Sequence, residues 1–280
     1  MKAKNRESKA QMSLNKSRNL PWWLLPHAWG IDVAFAAFLW GGACATFQRS
    51  SLLGSGAMLL LAVAAWVCVM VSRVWRALVN PEAYYASFYR THVSWLAPLV
   101  VCAICAALWM LFFYVGQGLL AYVPYVVLPL FLGGCFGNNL LACMMRALAF
   151  ALACFAPSAY YSIAASPWLL FFSSQMWCIA GLFCLFCLHR AFLNRAESIR
   201  LVVHGYMVAF IWLLISIWNA PSGYKGFYCF MVMVLACLHI LHWRVRRMGR
   251  EVNDALDWPL MGLAAAAGAA IFAPGGMLIL

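Results

Sequence analysis

Residues 55–76 read SGAMLLLAVAAWVCVMVSRVWR. From Ser55 to Ser72 the stretch has no charged side chain, and its first two charges, Arg73 and Arg76, come at its end. The hydrocarbon core of a bilayer requires a helix of about 20 apolar residues, because only a helix or a closed barrel satisfies its own backbone hydrogen bonds in lipid. An apolar run of this length closed by arginines reads as a spanning helix that ends at a polar interface.

The same criterion, carried outward in both directions, predicts nine helices. Their expected spans are 29–48, 55–76, 94–115, 117–136, 146–165, 167–188, 200–219, 224–243 and 258–278, with Arg146 opening the fifth and Pro157 bending it. The whole chain agrees with that reading. Of its 280 residues, 66% are hydrophobic and 9% charged, with a mean hydropathy of +0.86. A soluble domain could not hide so much apolar surface. The expected fold is therefore an all-α, polytopic membrane helical bundle of about nine transmembrane helices. It forms a single domain over 21–280 behind a basic cytoplasmic tail, 1–20, that lacks the pattern of a cleavable signal peptide.

The basic residues orient the bundle. If the N-terminus is cytoplasmic, 17 of the 19 Lys and Arg residues fall on the cytoplasmic side, and only Arg49 and Lys225 fall opposite. By the positive-inside rule the chain is N-in and C-out, in a plasma (inner) membrane. His27, His92, His189, His204, His239 and His242 also lie near cytoplasmic helix ends, on a face suited to meeting anions.

Several constellations have a chemical and a plain reading. Cys102/Cys105 and Cys184/Cys187 have the C-x-x-C spacing of zinc or redox sites, but without a second matching pair supported by polar neighbours they read better as small packing residues. His239 and His242, at i and i+3, have the spacing of a metal or haem pair, with no facing histidine at membrane depth. Gly41, Gly42 and Ala45 read as a close-packing helix face. Asp32 is an acid at the edge of an apolar helix: a functional group, an ion-pair partner of an arginine, or an interfacial residue. The segment NPEAYYASFYRTH, 80–92, reads as a short helix capped by Asn80 with Pro81 at its first position, resting in the interface or covering a cavity. NDALD, 253–257, has the look of a Mg²⁺-binding acid cluster. At the expected start of the last helix, Asn253 reads as a cap and Asp254 and Asp257 as first-turn acids favoured by the helix dipole.

The two cytoplasmic stretches after the second and sixth helices read VMVSRVWRALVNPEA and FCLHRAFLNRAES. Nine helices, N-in, with polar loops at these two places, resemble the UbiA superfamily of intramembrane prenyltransferases over most of 22–280. That resemblance implies an aspartate-rich motif at each place, holding Mg²⁺ on a prenyl diphosphate. Here Ser72, Arg73 and Arg76 stand at the first motif, and His189, Arg190 and Asn194 at the second. The resemblance then implies a degenerate site without Mg²⁺-dependent transfer and with no assigned catalytic residue. Its mouth would be cationic, lined by Arg73, Arg76, Arg146, His189 and Arg190, with Arg146 beside an anion-attracting helix N-terminus. Arginine binds phosphate directly, without metal. The expected partners are membrane lipids, with an isoprenoid or lipid diphosphate at the mouth, and no nucleic acid. No cofactor is expected, Mg²⁺ entering only if activity is retained. The alternative is a non-catalytic membrane scaffold or interaction protein.

The charge split sets a test of orientation. A reporter fused to the C-terminus should score on the non-cytoplasmic side, and a cytoplasmic score would remove one crossing from the nine.

Overall fold

The computed structural model describes residues 22–47, 53–79, 86–115, 117–135, 140–165, 175–193, 199–244 and 250–273. The tail 1–20, the loop residues Asn80, Pro81, Glu82, Tyr84 and Tyr85, and Asn194 and Glu197 lie outside them. Among the described residues the chain is all-α. A 3₁₀ turn, Trp22–Leu24, leads into the one-turn helix α1, Leu25–Ala28. Then follow α2 (Ile31–Phe47), α3 (Leu53–Val79), α4 (Ala86–Trp109), α5 (Gln117–Cys135) and α6 (Leu140–Ala165). The last four are α7 (Gln175–Leu193), α8 (Ile199–Asn219), α9 (Ser222–Arg244) and α10 (Arg250–Phe272). A π-helical turn, Met110–Val115, extends α4.

Helix α2 is apolar on every side, and a helix of that kind belongs in the middle of a bundle. It packs on α3, α6 and α10. Trp40 from its centre is fully buried, meeting Phe186 of α7 and Phe227 of α9 edge-on at centroid distances of 4.9 and 5.9 Å. Gly41, Gly42 and Ala45 are buried, as a close-packing face requires. The closest approach is at Gly262 of α10, where a Cβ would lie 2.9 Å from Ala36 Cα. Only a glycine lets the two backbones come that near.

The surface is apolar where a soluble protein's would be polar. Phe113, Leu128 and Phe131 are exposed, and so is Trp218. Three helical stretches, Gly56–Val79, Ala86–Phe113 and Ser222–Leu241, are long and apolar enough to cross a membrane. A fourth forms if α1 and α2, bent by 63° at their junction, count as one span.

Five element boundaries differ from those expected. The first helix does not start at 29: Trp29 and Gly30 form a turn, with Gly30 at φ +69°, and α2 begins at Ile31. Phe88 and Tyr89 do not belong to a separate surface helix, because α4 runs unbroken from Ala86 through 94 and onward. Helix α6 begins at Leu140, so Arg146 stands well inside it and does not open it; the preceding LLACMM is apolar enough to be helix. Helix α7 occupies 175–193 where 167–188 was expected, and residues 166–174 lie outside the description. Helix α10 begins at Arg250, which puts Asn253 inside the helix and Asp257 beyond its first turn. Asn253 is therefore no cap, and Asp257 gains little from a dipole effect confined to the first turn.

Gly262→Ala should force α2 and α10 apart. We expect it to cost about 1–3 kcal/mol, read as a lower unfolding midpoint in mixed detergent micelles.

Candidate functional site

The junction of α1 and α2 organises one end of the molecule. Pro26 suits the first turn of α1. The helix then stops, with the Trp29 N–H donating to Leu25 O and the Gly30 N–H to His27 O, each at 2.9 Å. The positive φ of Gly30 is the left-handed turn that closes many helices, and glycine takes it without a Cβ penalty. A broken helix leaves carbonyls without intrahelical donors.

Those carbonyls are met by side chains from two other helices. Arg73 of α3 donates through Nη1 to His27 O. Tyr89 of α4 donates its hydroxyl to Ala28 O at 2.5 Å. Trp66 of α3 donates its indole N–H to Trp29 O at 2.7 Å. Three consecutive carbonyls thus receive three different donors.

A histidine–carboxylate hydrogen bond crosses the same junction. His27 Nδ1 lies 2.6 Å from Asp32 Oδ2, a separation that puts the Nδ1 proton between them. Both side chains are buried. Arg73 Nη2 lies 3.5 Å from His27 Nδ1 and 3.3 Å from Nε2. The lone pairs of those nitrogens point apart, so near-equal distances place the guanidinium against the ring rather than in line with either nitrogen. Asp32 Oδ1 is buried and has no hydrogen-bond partner among the described residues. Trp29 closes the cluster on the α4 side, 4.7 Å from Trp95 and 6.2 Å from Phe88 between ring centroids. Of the three readings open for Asp32, the expected pairing with an arginine is not the one found: its observed partner is His27.

A second polar node lies at the same end. Arg146 of α6 donates from Nε and Nη2 to Gly133 O of α5, at 3.2 and 2.9 Å. The buried His189 of α7 lies 6.2 Å from Trp258 of α10, centroid to centroid. Phe150 of α6 contacts both Phe186 and Trp258, at 4.7 and 5.5 Å. Asp257, next to Trp258, is buried. The pairings Arg146–Gly133 and Tyr122–Leu152 run α5 against α6, and Phe150–Phe186 runs α6 against α7. Gly30 against Trp66 and Met70 runs α2 against α3, while Gly262 against Ala36, with Gly223 beside both Phe47 and Phe272, runs α10 parallel to α2 and puts Trp258 toward the Asp32 end. Both nodes therefore lie at one end of the bundle.

The five residues expected at a cationic mouth divide as follows. Arg73 is in the first node, and Arg146 and His189 are in the second. Arg76 is exposed on α3, one turn beyond Arg73. Arg190 belongs to α7, but its side chain lies outside the description, as do those of Asn253 and Asp254. No group of three or more His, Cys, Asp or Glu that could hold a metal occurs among the described residues. Trp66 carries no role in the sequence reading, and His27 and Tyr89 carry none at this junction. One signal was present: HAWGID, 27–32, puts a glycine between a histidine and an acid, which lets the chain turn back and pair them.

Compared with family models, curated proteins and solved structures, the chain matches none of them significantly.

Removing one cap tests the junction. Tyr89→Phe keeps the ring and deletes the donor to Ala28 O, and it should cost about 1–3 kcal/mol. The exposed Thr91→Ala should stay within about 0.5 kcal/mol of wild type in the same unfolding titration.

Proposed function

We propose that this chain is a multi-pass membrane protein of UbiA-like architecture, N-in and C-out, with nine crossings. At its cytoplasmic end it holds the anionic headgroup of a lipid, an isoprenoid diphosphate or another phosphate-bearing lipid. Arginine and histidine side chains make the contacts directly. The observation that carries the reading is the gathering of Arg73, Arg146 and His189, from three different helices, at one end of an apolar bundle. Arg76 adds an exposed guanidinium on the same helix as Arg73. A guanidinium has five N–H donors, and the bond of Arg73 to the His27 carbonyl uses only part of that capacity.

The alternative is a non-catalytic scaffold. It is favoured by the targets of Arg73 and Arg146: both point at carbonyls of their own protein. Arginines in that role hold the bundle together and need no ligand.

Lipid-diphosphate binding with EDTA present separates the two. Native mass spectrometry of the purified protein should show a bound isoprenyl diphosphate. Arg76→Ala, which leaves the His27 carbonyl capped, should weaken binding about tenfold to a hundredfold if it removes one charge-assisted contact of about 1.5–3 kcal/mol. No binding by wild type, or equal binding by the variant, favours the scaffold.

A further inference from the structure

Asp32 is an acid whose two oxygens differ. Oδ2 is held by His27 at 2.6 Å, while Oδ1 is buried without a hydrogen-bond partner among the described residues. The side chain belongs to a residue only 5% exposed. Such an oxygen in an apolar setting is costly unless a donor reaches it, and a donor that also carries positive charge offsets the most. The protein's own nearby cation does not meet it: Arg73 reaches the His27 carbonyl and lies against the His27 ring.

The surroundings restrict what the donor can be. A metal ion would need several ligating side chains together, and the described residues offer no such group. Arg73 lies against the His27 ring, and the exposed Arg76 follows one turn beyond it on α3. A carboxylate oxygen and guanidinium groups are thus gathered around one histidine. Trp22 and Trp75, exposed at 81% and 67%, flank this end as indoles do at the headgroup layer. A ligand that matches has a hydrogen-bonding cation beside a phosphate.

We propose that Asp32 Oδ1 accepts the primary ammonium of a phosphoethanolamine-type lipid headgroup, whose phosphate lies toward Arg73 and Arg76. This rests on the reading above that this end of the bundle meets the phospholipid interface. The ammonium donates an N–H to Oδ1, so both carboxylate oxygens are satisfied. A zwitterion adds no net charge to the site, and its two charges run in the order of the acid and the guanidinium groups. A choline headgroup has the same charges and phosphate but no N–H to donate. The selectivity therefore turns on a hydrogen bond and not on charge.

The test uses the full chain in lipid nanodiscs or mixed micelles, offered dioleoyl-phosphatidylethanolamine, -choline and -glycerol and an isoprenyl diphosphate at equal concentration, with retained lipid counted by native mass spectrometry. Wild type should retain phosphatidylethanolamine about tenfold over phosphatidylcholine, the effect of one hydrogen bond to a charged group. In Asp32→Asn that preference should shrink to within about twofold, with phosphatidylglycerol retention unchanged. Equal retention of the ethanolamine and choline lipids by wild type overturns the proposal, and that comparison does not depend on the variant folding. An ethanolamine preference that survives in a folded Asp32→Asn overturns it as well. If the ethanolamine preference holds while phosphatidylglycerol and isoprenyl diphosphate are not retained, the ammonium site stands and the anion-binding function falls.

Discussion

The structure depends on how the junction at Trp29–Gly30 satisfies its backbone. A helix that breaks inside an apolar bundle exposes carbonyls to a medium that cannot hydrogen-bond them, and each one left alone costs several kcal/mol in hydrocarbon. Tyr89 and Trp66 supply the missing donors to Ala28 and Trp29, and Arg73 adds a second donor to His27 O beside the Gly30 N–H. Because those donors come from α3 and α4, the junction fixes both helices against the start of α2. Helix α2 is itself the central element, buried along most of its length. One unsatisfied turn thus sets the positions of three helices.

The same constraint decides what the cations at this end do. An arginine near a helix terminus can serve a ligand phosphate, a lipid phosphate or a carbonyl of its own protein. Arg73 and Arg146 both serve carbonyls, and both stay half-buried to do so. Gly133 makes the second arrangement possible, since a Cβ there would meet Arg146 Cγ at 2.9 Å. Arg76 is exposed, one turn beyond Arg73 on α3. Asp32 and His27 meet across a turn that only Gly30 allows, and the pair puts an acid inside the bundle without leaving it isolated.

Interior thiols and hydroxyls follow the packing logic that the apolar sequence implies. Cys44, Cys154 and Cys178 are buried within the core where α2, α6 and α7 come together. Tyr122 and Tyr228 bury their rings in that core and give their hydroxyls to Leu152 O and Cys178 O, at 3.0 and 2.6 Å. A tyrosine in such a place needs a partner for its O–H, and a backbone carbonyl on the next helix is the nearest acceptor. Each such bond ties two helices that apolar contact alone would leave free to slide.

The sequence by itself determined the helical class and the approximate place of nearly every long helix, because the length and polarity of an apolar run are local properties. It also marked Arg73, Arg146 and His189 as belonging near helix ends of one kind. It did not determine the ends themselves. Arg146 and NDALD looked like helix starts, yet α6 and α10 begin earlier, since a charged residue can sit inside a helix once a neighbouring element satisfies it. Nor did it show which acceptor each donor finds. Tyr89 is 61 residues from Ala28, Arg73 is 46 from His27 and Trp66 is 37 from Trp29. Such pairings depend on which helices lie side by side. Only the tertiary structure decides that, because the carbonyls that demand donors exist only where the chain has already turned.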